Sequence, residues 1–320
     1  MNRTQKKEFM LQTAKKEYRG CWPTMITPFT ADNRVDFAAI RAMVEWYVER
    51  GADGIFAVCQ SSEMFFLDER EKLDIAKAVR EAAAGRIKVI ASGHTADDPA
   101  KQIEELGNMA QTGVDAVVLV SNRFAAADEG EDVFTANAEN VFRQLPGVTF
   151  GLYECPYPYR RLLTDDFLVD CARKGRLVFL KDVSCSNEIL ARRARLVRGT
   201  SLSLFNANTS TVLDSLMAGY DGYNGVMANF HVDIYKWLYL HYGEDPVLAR
   251  RVSDFLTVMA IVETRTYPTC AKYHMNATGV PMSLVTRSKN AADFGENGIH
   301  EVEAIIRMET SIRMELGLPR

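Results

Sequence analysis

Three segments of the chain share one pattern. Residues 51–58 read GADGIFAV, residues 113–120 read GVDAVVLV and residues 219–226 read GYDGYNGV. In each segment a helical pattern ends at a glycine, which tolerates the left-handed conformation that terminates helices, and an apolar run of strand length follows. Because parallel strands need a helical crossover between them, the repeat predicts alternating strands and helices.

Apolar runs of strand length occur eight times. They begin near Trp22, Gly54, Lys88, Ala116, Thr149, Leu177, Leu202 and Gly222. The runs are apolar throughout rather than alternating, which is typical of strands buried on both faces. Eight strand–helix units predict a (β/α)8 TIM barrel. The alternative fold, a doubly wound open sheet, favours a GxGxxG loop after its first strand, and residues 21–25 (CWPTM) do not resemble one.

Local signals place the helices of the predicted barrel. Asp68 and Glu71 form a capping-box pattern, and Asp98 precedes a proline in the position of a first helical residue. Apolar residues at helical spacing between positions 37 and 48 predict a helix that ends at Gly51.

The pattern changes after about Asp245. Residues 246–266 predict one amphipathic helix and residues 299–316 a last one. We therefore divide the chain into a polar N-terminal segment (1–19), the barrel (20–245) and a C-terminal helical extension (246–320).

The composition excludes several classes of protein. The 320 residues include 38 lysines and arginines and 42 acids, a net charge of −4, so nothing favours nucleic-acid binding. No apolar run approaches the roughly 18 residues of a membrane span, and the lysine-rich start lacks the apolar region of a secretory signal. The six cysteines form no CxxC pair and the five histidines no HExxH motif. We therefore expect a cytoplasmic enzyme that uses no metal and no other cofactor.

The C-terminal strand ends hold the candidate site residues, because TIM-barrel chemistry occurs at that face. The residues at these ends are Thr27, Gln60, Ser61, Ser62, Glu63, His94, Ser121, Asn122, Arg123, Tyr153, Glu154, Lys181, Asp182, Asn206, Asn208 and Asn229. We interpret Glu63 and His94 as residues that hold loops in place.

Lys181 is the strongest candidate for chemistry. It follows a buried strand, and burial would lower its pKa from about 10.4 toward about 7–8, leaving a neutral amine that attacks carbonyls. The alternative is a structural lysine paired with a carboxylate. Tyr153 could move protons beside it or simply fill the core. Ser61 and Ser62 offer hydroxyl and N–H donors suited to a carboxylate, or form an ordinary loop.

Several motifs, in order along the chain from Gly20 to Lys272, resemble the dihydrodipicolinate synthase and N-acetylneuraminate lyase family of class I aldolases. Residues 59–63 (CQSSE) are similar to the family's glycine-threonine-threonine-glycine-glutamate motif. Residues 152–156 (LYECP) resemble its tyrosine-x-x-proline signature, and residues 180–184 (LKDVS) its Schiff-base lysine motif. Residues 22–29 resemble the family's first strand, and residues 219–229 resemble its glycine-rich eighth strand. Lys272 with Gly279 resembles its C-terminal pattern.

The resemblance implies a lyase or aldolase that works without metal. In it Lys181 forms an imine with pyruvate or another 2-oxo acid, Tyr153 is the general acid/base, and Ser61 and Ser62 hold the substrate carboxylate. The imine serves carbon–carbon cleavage or condensation. The family is usually a homotetramer built from dimers, so we expect a homo-oligomer. The remaining predicted substrate-binding residues are Gln60, Arg123, Asn206 and Met227.

Other positions depart from the family pattern. Gln60 stands where the family has a proton-relay threonine, and Arg123 where it has a second relay tyrosine. Pro158 replaces the arginine with which synthases hold the second substrate, and Arg160 follows two residues later. Arg123 or Arg160 could bind an acidic acceptor or lie solvated at the rim.

Three alternatives therefore stay open. They are 4-hydroxy-tetrahydrodipicolinate synthase proper, a catalytically silent barrel that binds a 2-oxo acid, and a phosphate-binding barrel. The last would need a glycine-rich cradle after strands 7 and 8, and residues 206–208 (NAN) offer little of one.

Overall fold

Eight parallel strands form the centre of the molecule. The computed structural model describes residues 16–319. The strands are β1 (Gly20–Cys21), β2 (Gly54–Phe56), β3 (Lys88–Ala91), β4 (Ala116–Val120), β5 (Phe150–Tyr153), β6 (Phe179–Asp182), β7 (Ser203–Asn206) and β8 (Gly222–Tyr223). Each strand pairs with the next along the chain from β2 to β8, and β8 pairs with β1.

A short junction joins β1 to β2. Thr24 pairs in parallel with Phe56, the Phe56 N–H donates to the Pro23 carbonyl, and the Met25 N–H donates to the Phe56 carbonyl, both at 3.0 Å. The predicted TIM barrel is confirmed. Its first strand begins two residues before the apolar run at Trp22.

Seven helices connect or follow the first seven strands. They are α1 (Phe37–Glu49), α2 (Glu69–Ala83), α3 (Pro99–Ala110), α4 (Glu131–Gln144), α5 (Asp165–Lys174), α6 (Asn187–Leu196) and α7 (Val212–Ala218). The predicted capping box is confirmed, because the Asp68 carboxylate accepts from the Glu71 N–H at 2.8 Å and Glu71 accepts from the Asp68 N–H at 3.1 Å. Asp98 caps α3, whose first residue is proline. Gly51, Gly113 and Gly219 all have left-handed φ angles, as the repeat predicts.

Aromatic rings fill the lower part of the barrel. The ring centroids of Trp22 and Phe205 lie 5.5 Å apart, and those of Phe179 and Phe205 lie 4.6 Å apart. Two glycines leave room for this packing. A Cβ on Gly54 would lie 2.5 Å from the Trp22 ring, and one on Gly222 would lie 2.7 Å from the Phe205 ring. These rings form an apolar layer inside the barrel, and the polar side chains of the candidate site lie at the C-terminal strand ends.

Four helices follow β8. They are α8 (Ala228–His241), α9 (Pro246–Glu263), α10 (Thr269–Ala277) and α11 (Glu296–Leu316). The helix predicted over residues 246–266 ends at Glu263, and residues 264–268 form a turn. A buried polar network joins the four helices, because the Glu309 carboxylate contacts His231 at 2.8 Å, His274 at 3.1 Å and Arg313 at 2.8 Å, and His231 also contacts Glu263.

The predicted boundary at Asp245 falls on the residue that caps α9. Of the predicted N-terminal segment, residues 1–15 lie outside the described residues. Across residues 16–319 every helix is too short or too polar to cross a membrane. The same part of the chain holds no group of three or more histidine, cysteine or acidic side chains arranged to bind a metal ion.

Candidate active site

Strand pairing brings Tyr153 and Lys181 together. The two residues are register partners at the C-terminal ends of β5 and β6, and both side chains line a cavity in the barrel mouth. Because side chains alternate along a strand, the following residues, Glu154 and Asp182, point away from the barrel. There the Arg193 guanidinium of α6 contacts both carboxylates at 2.6 Å, with all three side chains buried. This ion-paired cluster fixes the two strand ends from outside.

The Lys181 amine lies in an apolar and aromatic environment. Its side chain is buried, and Nζ lies 4.6 Å from the centroid of the Tyr153 ring and 5.7 Å from that of Phe56. No ion pair among residues 16–319 involves this amine. Burial lowers the pKa of Lys181 to about 8, while Cys59 and Cys155 act in the opposite direction. At this pKa about a tenth of the amine is neutral at pH 7, and the neutral form of an amine is the nucleophilic one.

The Tyr153 phenol is oriented by Gln60. Its hydroxyl donates to Gln60 Oε1 at 3.2 Å, and the Cys155 thiol donates to the same oxygen at 3.5 Å. Burial raises the pKa of Tyr153 well above 10, so the phenol keeps its proton at neutral pH. The structure thus places a protonated phenol, with its O–H directed at Gln60, beside the Lys181 amine.

Ser61 and Tyr267 form a hydroxyl pair that lines the same cavity. Asn229 Nδ2 donates to the Tyr267 oxygen at 3.1 Å, and Asn229 also donates to the Thr24 carbonyl at 2.9 Å. An amide NH2 group cannot accept, so this contact uses only a lone pair of Tyr267. In the contact between the two hydroxyls, one donates its proton and the other accepts. The accepting hydroxyl keeps its own proton, so the pair has one further O–H with which to bind a ligand oxygen in the cavity.

Tyr267 was not among the site residues predicted from the sequence. The residue lies in the turn between α9 and α10, 206 positions from Ser61, and belongs to no strand end. A local signal was present, because Tyr267-Pro268 directly follows the helix predicted over residues 246–266, and a proline disfavours helical geometry in the residue before it.

The cavity above Lys181 has a volume of about 460 Å³. Its polar part contains Lys181, Tyr153, Gln60, Ser61 and Tyr267. Its remaining lining is largely apolar, and is contributed by Phe65, Phe66, Pro156, Tyr157, Val183, Ala207, Val226 and Pro268, with Glu63, Cys185, Asn208, Ser288 and Lys289. The cavity thus has room for a small acid at the amine and for a second group beyond it.

The structure does not bring Ser62, Asn206 or Met227 to the cavity lining given by the described residues. The Ser62 hydroxyl contacts the carbonyls of Met25 and Ala57, both at 2.7 Å, inside the loop. Asn206 Nδ2 donates to the Thr211 hydroxyl at 3.0 Å. The Met227 side chain is buried at the start of α8. Their predicted substrate contacts therefore have no support in the geometry.

Arg123 is also directed away from the cavity lining. Its guanidinium forms an ion pair with Asp97 at 2.8 Å, donates to the Thr95 carbonyl at 3.3 Å and lies 5.8 Å from the Phe65 ring centroid. The arginine is thus engaged by Asp97 and the Thr95 carbonyl and does not contribute to the described lining of the cavity.

Two further strand-end residues hold loops. The His94 imidazole accepts from the Val120 N–H at 3.0 Å, and burial lowers the pKa of His94 to about 4, so the ring is neutral. The Glu63 carboxylate accepts from the N–H groups of Arg287 and Ser288, both at 2.6 Å. Glu63 also lines the cavity, so the loop that it holds forms part of the mouth.

Comparison with known proteins agrees with this architecture. The Dihydrodipicolinate synthetase family matches residues 17–307 of the chain. The 4-hydroxy-tetrahydrodipicolinate synthase of Thioalkalivibrio sulfidiphilus is 29% identical over 216 residues, covering 66% of this chain and 70% of that protein.

Two solved structures share the fold at low sequence identity. The 4-hydroxy-tetrahydrodipicolinate synthase from the methanotroph Methylacidiphilum fumariolicum SolV has a TM-score of 0.81 at 19% identity, covering 94% of this chain and 99% of that one. YagE, a prophage protein of the dihydrodipicolinic acid synthase family from E. coli K12 in complex with pyruvate, also has a TM-score of 0.81 at 19% identity, covering 95% of this chain and 100% of that one. With the family match over most of its length, the chain belongs to the dihydrodipicolinate synthetase family.

Proposed function

We propose that the protein is a class I lyase or aldolase in which Lys181 forms a Schiff base with pyruvate or another 2-oxo acid. The observation that carries this proposal is the Lys181 amine, buried beside the Tyr153 phenol in an open cavity, with a pKa lowered to about 8. A YagE structure in complex with pyruvate supports the choice of acid.

The residues of the cavity divide the proposed chemistry between them. The neutral Lys181 amine attacks the ketone carbon, and the carbonyl oxygen becomes the hydroxyl of a carbinolamine. Tyr153 gives its proton to that hydroxyl, which leaves as water, and an iminium forms. The iminium takes up the electron pair released when a carbon–carbon bond breaks, or loses a proton to give the enamine that attacks an aldehyde.

The hydroxyl pair of Ser61 and Tyr267 suits the carboxylate of the acid. Its further O–H is a donor without an obligatory protein acceptor, and hydrogen bonds to a charged group are stronger than those to neutral groups. In this scheme the carboxylate orients the ketone carbon toward Lys181.

Of the alternatives, 4-hydroxy-tetrahydrodipicolinate synthase proper has the relatives' names in its favour. The geometry favours a different second substrate, because Arg123 is bound to Asp97 and no arginine occurs among the described lining residues of the cavity. We also propose, following the resemblance, a cytoplasmic homo-oligomer, either a dimer or a tetramer, whose mass light scattering would measure.

Borohydride trapping tests the proposed Schiff base. The protein is incubated with pyruvate and a panel of other 2-oxo acids, reduced, digested and analysed by mass spectrometry. We expect a reduced adduct on the peptide that contains Lys181, also after treatment with a chelator, because an imine needs no metal. The absence of an adduct across the panel would overturn the proposal.

A further inference from the structure

The outer part of the cavity carries a wall of aromatic rings. Phe65 and Phe66 lie in the short 3-10 helix Met64–Phe66 after β2, and Tyr157 lies in the loop after β5. The centroids of the Phe65 and Tyr157 rings are 5.0 Å apart. Phe66 and Tyr157 are 48% and 49% exposed. Large apolar rings gathered at a cavity mouth are typical of a surface that an apolar ligand covers.

Aliphatic side chains extend this surface toward Lys181. Val183, two residues after Lys181, and Val226, after β8, line the same cavity. A ligand attached to the carbon chain of a bound 2-oxo acid would therefore meet aliphatic and aromatic carbon.

Few charged groups face this part of the cavity. Arg123 is bound to Asp97, and the Arg161 guanidinium donates to the carbonyls of Ala126 and Glu129, both at 3.1 Å. Arg160 is exposed and lies outside the described lining. Besides Lys181, the lysine in that lining is the exposed Lys289. An acidic second substrate would find one solvated cation, whose ion pair contributes little.

We infer that the second substrate is an aldehyde bearing an aromatic or similarly flat apolar group, which packs against Phe65, Phe66 and Tyr157. This inference rests on the proposed function and gives its second substrate a chemical class. In condensation, the enamine on Lys181 forms one carbon–carbon bond to the aldehyde carbon. The aldehyde oxygen takes a proton, and water hydrolyses the iminium to release a 4-hydroxy-2-oxo acid and the free amine. In cleavage, the same bond breaks and the aromatic aldehyde leaves.

Aldehyde competition tests this substrate class in the full chain. Pyruvate is combined with benzaldehyde or with succinic semialdehyde, an acidic aldehyde, and kcat/KM for the 4-hydroxy-2-oxo acid product is measured by chromatography. We expect at least tenfold higher kcat/KM with benzaldehyde. Phe65→Ala and Tyr157→Ala should each lower this value about fivefold to tenfold, because each removes ring contact with the substrate. Lys289→Ala should leave it unchanged.

The opposite pattern would overturn the inference. Preference for succinic semialdehyde, lost in Lys289→Ala and kept in Phe65→Ala, would show an acidic second substrate. Turnover of neither aldehyde by protein that forms the pyruvate adduct would also refute the aromatic class. Adduct formation by Phe65→Ala and Tyr157→Ala confirms that the variants are folded and separates failure here from failure of the Schiff-base proposal.

A binding experiment tests the aromatic surface without the imine. Benzyl alcohol, which does not react with amines, is added to the Lys181→Met variant and observed by saturation-transfer NMR. We expect a signal that weakens when Tyr157→Ala is added to this variant. No signal, or one indifferent to Tyr157→Ala, would overturn the inference.

Discussion

Two buried lysines differ in their surroundings. Lys181 ends β6, and Lys272 lies on α10. Burial lowers the pKa of each to about 8. Lys272 lies 3.6 Å from the Glu63 carboxylate, donates to the Val285 carbonyl and sits 4.7 Å from the centroid of the Phe29 ring. Lys181 lines the cavity and has a phenol as its neighbour.

The difference shows that a lowered pKa does not by itself define a nucleophile. The Lys272 amine is held by two protein acceptors and does not contribute to the described lining of the cavity. Access and partners, rather than the pKa, separate the proposed nucleophile from the structural lysine.

The largest expected effect is on the pyruvate adduct when each of these two lysines is replaced by methionine. Lys181→Met should abolish the pyruvate adduct, because Lys181 is the one buried lysine among the described residues that line this cavity. Lys272→Met should still form the adduct at Lys181. Mass spectrometry after borohydride reduction measures both. Loss of the adduct in Lys272→Met, in protein that remains folded, would contradict the distinction drawn between the two lysines.

The free energy of unfolding should change more in Lys272→Met than in Lys181→Met, the reverse of the effect on the adduct. Lys272→Met leaves the buried Glu63 carboxylate without its cation and should lower the free energy of unfolding by about 3 kcal/mol. Lys181→Met removes a buried amine that has no acidic partner, so the free energy of unfolding should be unchanged or higher. Urea denaturation of both variants gives the comparison. Equal losses would mean that Lys181 also has a structural role.

Tyr153→Phe tests what the phenol adds to the Lys181 amine. Without its hydroxyl, the carbinolamine lacks a proton donor, and the rate of adduct formation should fall about 100-fold. The final adduct should still form, since Lys181 remains. Rapid-mixing kinetics with pyruvate measure the rate. Tyr235→Phe, which removes another buried phenol, bonded to Thr209 at 2.7 Å, is the matched control. An unchanged rate in Tyr153→Phe would remove this residue from the mechanism.

Much of the fold follows from local residue patterns. The glycine-ended repeat predicted the alternation of helix and strand, and Asp68 predicted the start of α2, because both signals act between residues close in the chain. The strand-end rule and the family motifs selected Lys181 and Tyr153. The residues around them could not be predicted equally well.

The errors at the site have long-range or conformational causes. Tyr267 reaches Ser61 across 206 positions, and no local pattern encodes that contact. Arg123 is held by an ion pair to Asp97 on another loop. Ser61 and Ser62 differ only in which way each side chain points, which depends on a loop that ends with Glu63 at a φ angle of +61°. The sequence identifies these residues but does not predict which way their side chains point.

A pH profile compares Lys181 with an ordinary lysine. The neutral amine is the reactive form, so the rate of adduct formation should rise with pH as the amine loses its proton and level off above its pKa of about 8. Below pH 8 the rate should fall about tenfold for each pH unit. Lys272→Met should show the same profile. A rise that continues to about pH 10.5, the value for an unperturbed lysine, would mean that burial does not lower the pKa of Lys181.

The smallest effect concerns the acid bound beside Lys181. Tyr267→Phe removes one hydroxyl of the Ser61–Tyr267 pair, and the remaining Ser61 proton then has no phenol to orient it. The apparent dissociation constant for pyruvate should rise about fivefold to tenfold, about 1–1.5 kcal/mol, while the rate at saturation stays the same. Ser61→Ala should have a similar effect, and the double variant should lose less than the sum, because the two hydroxyls act as one donor. Additive losses would mean that Ser61 and Tyr267 bind the acid independently. For a ketone without a carboxylate, the apparent dissociation constant should be the same in all three variants as in the unchanged protein, since this ligand has no anion for the pair to bind.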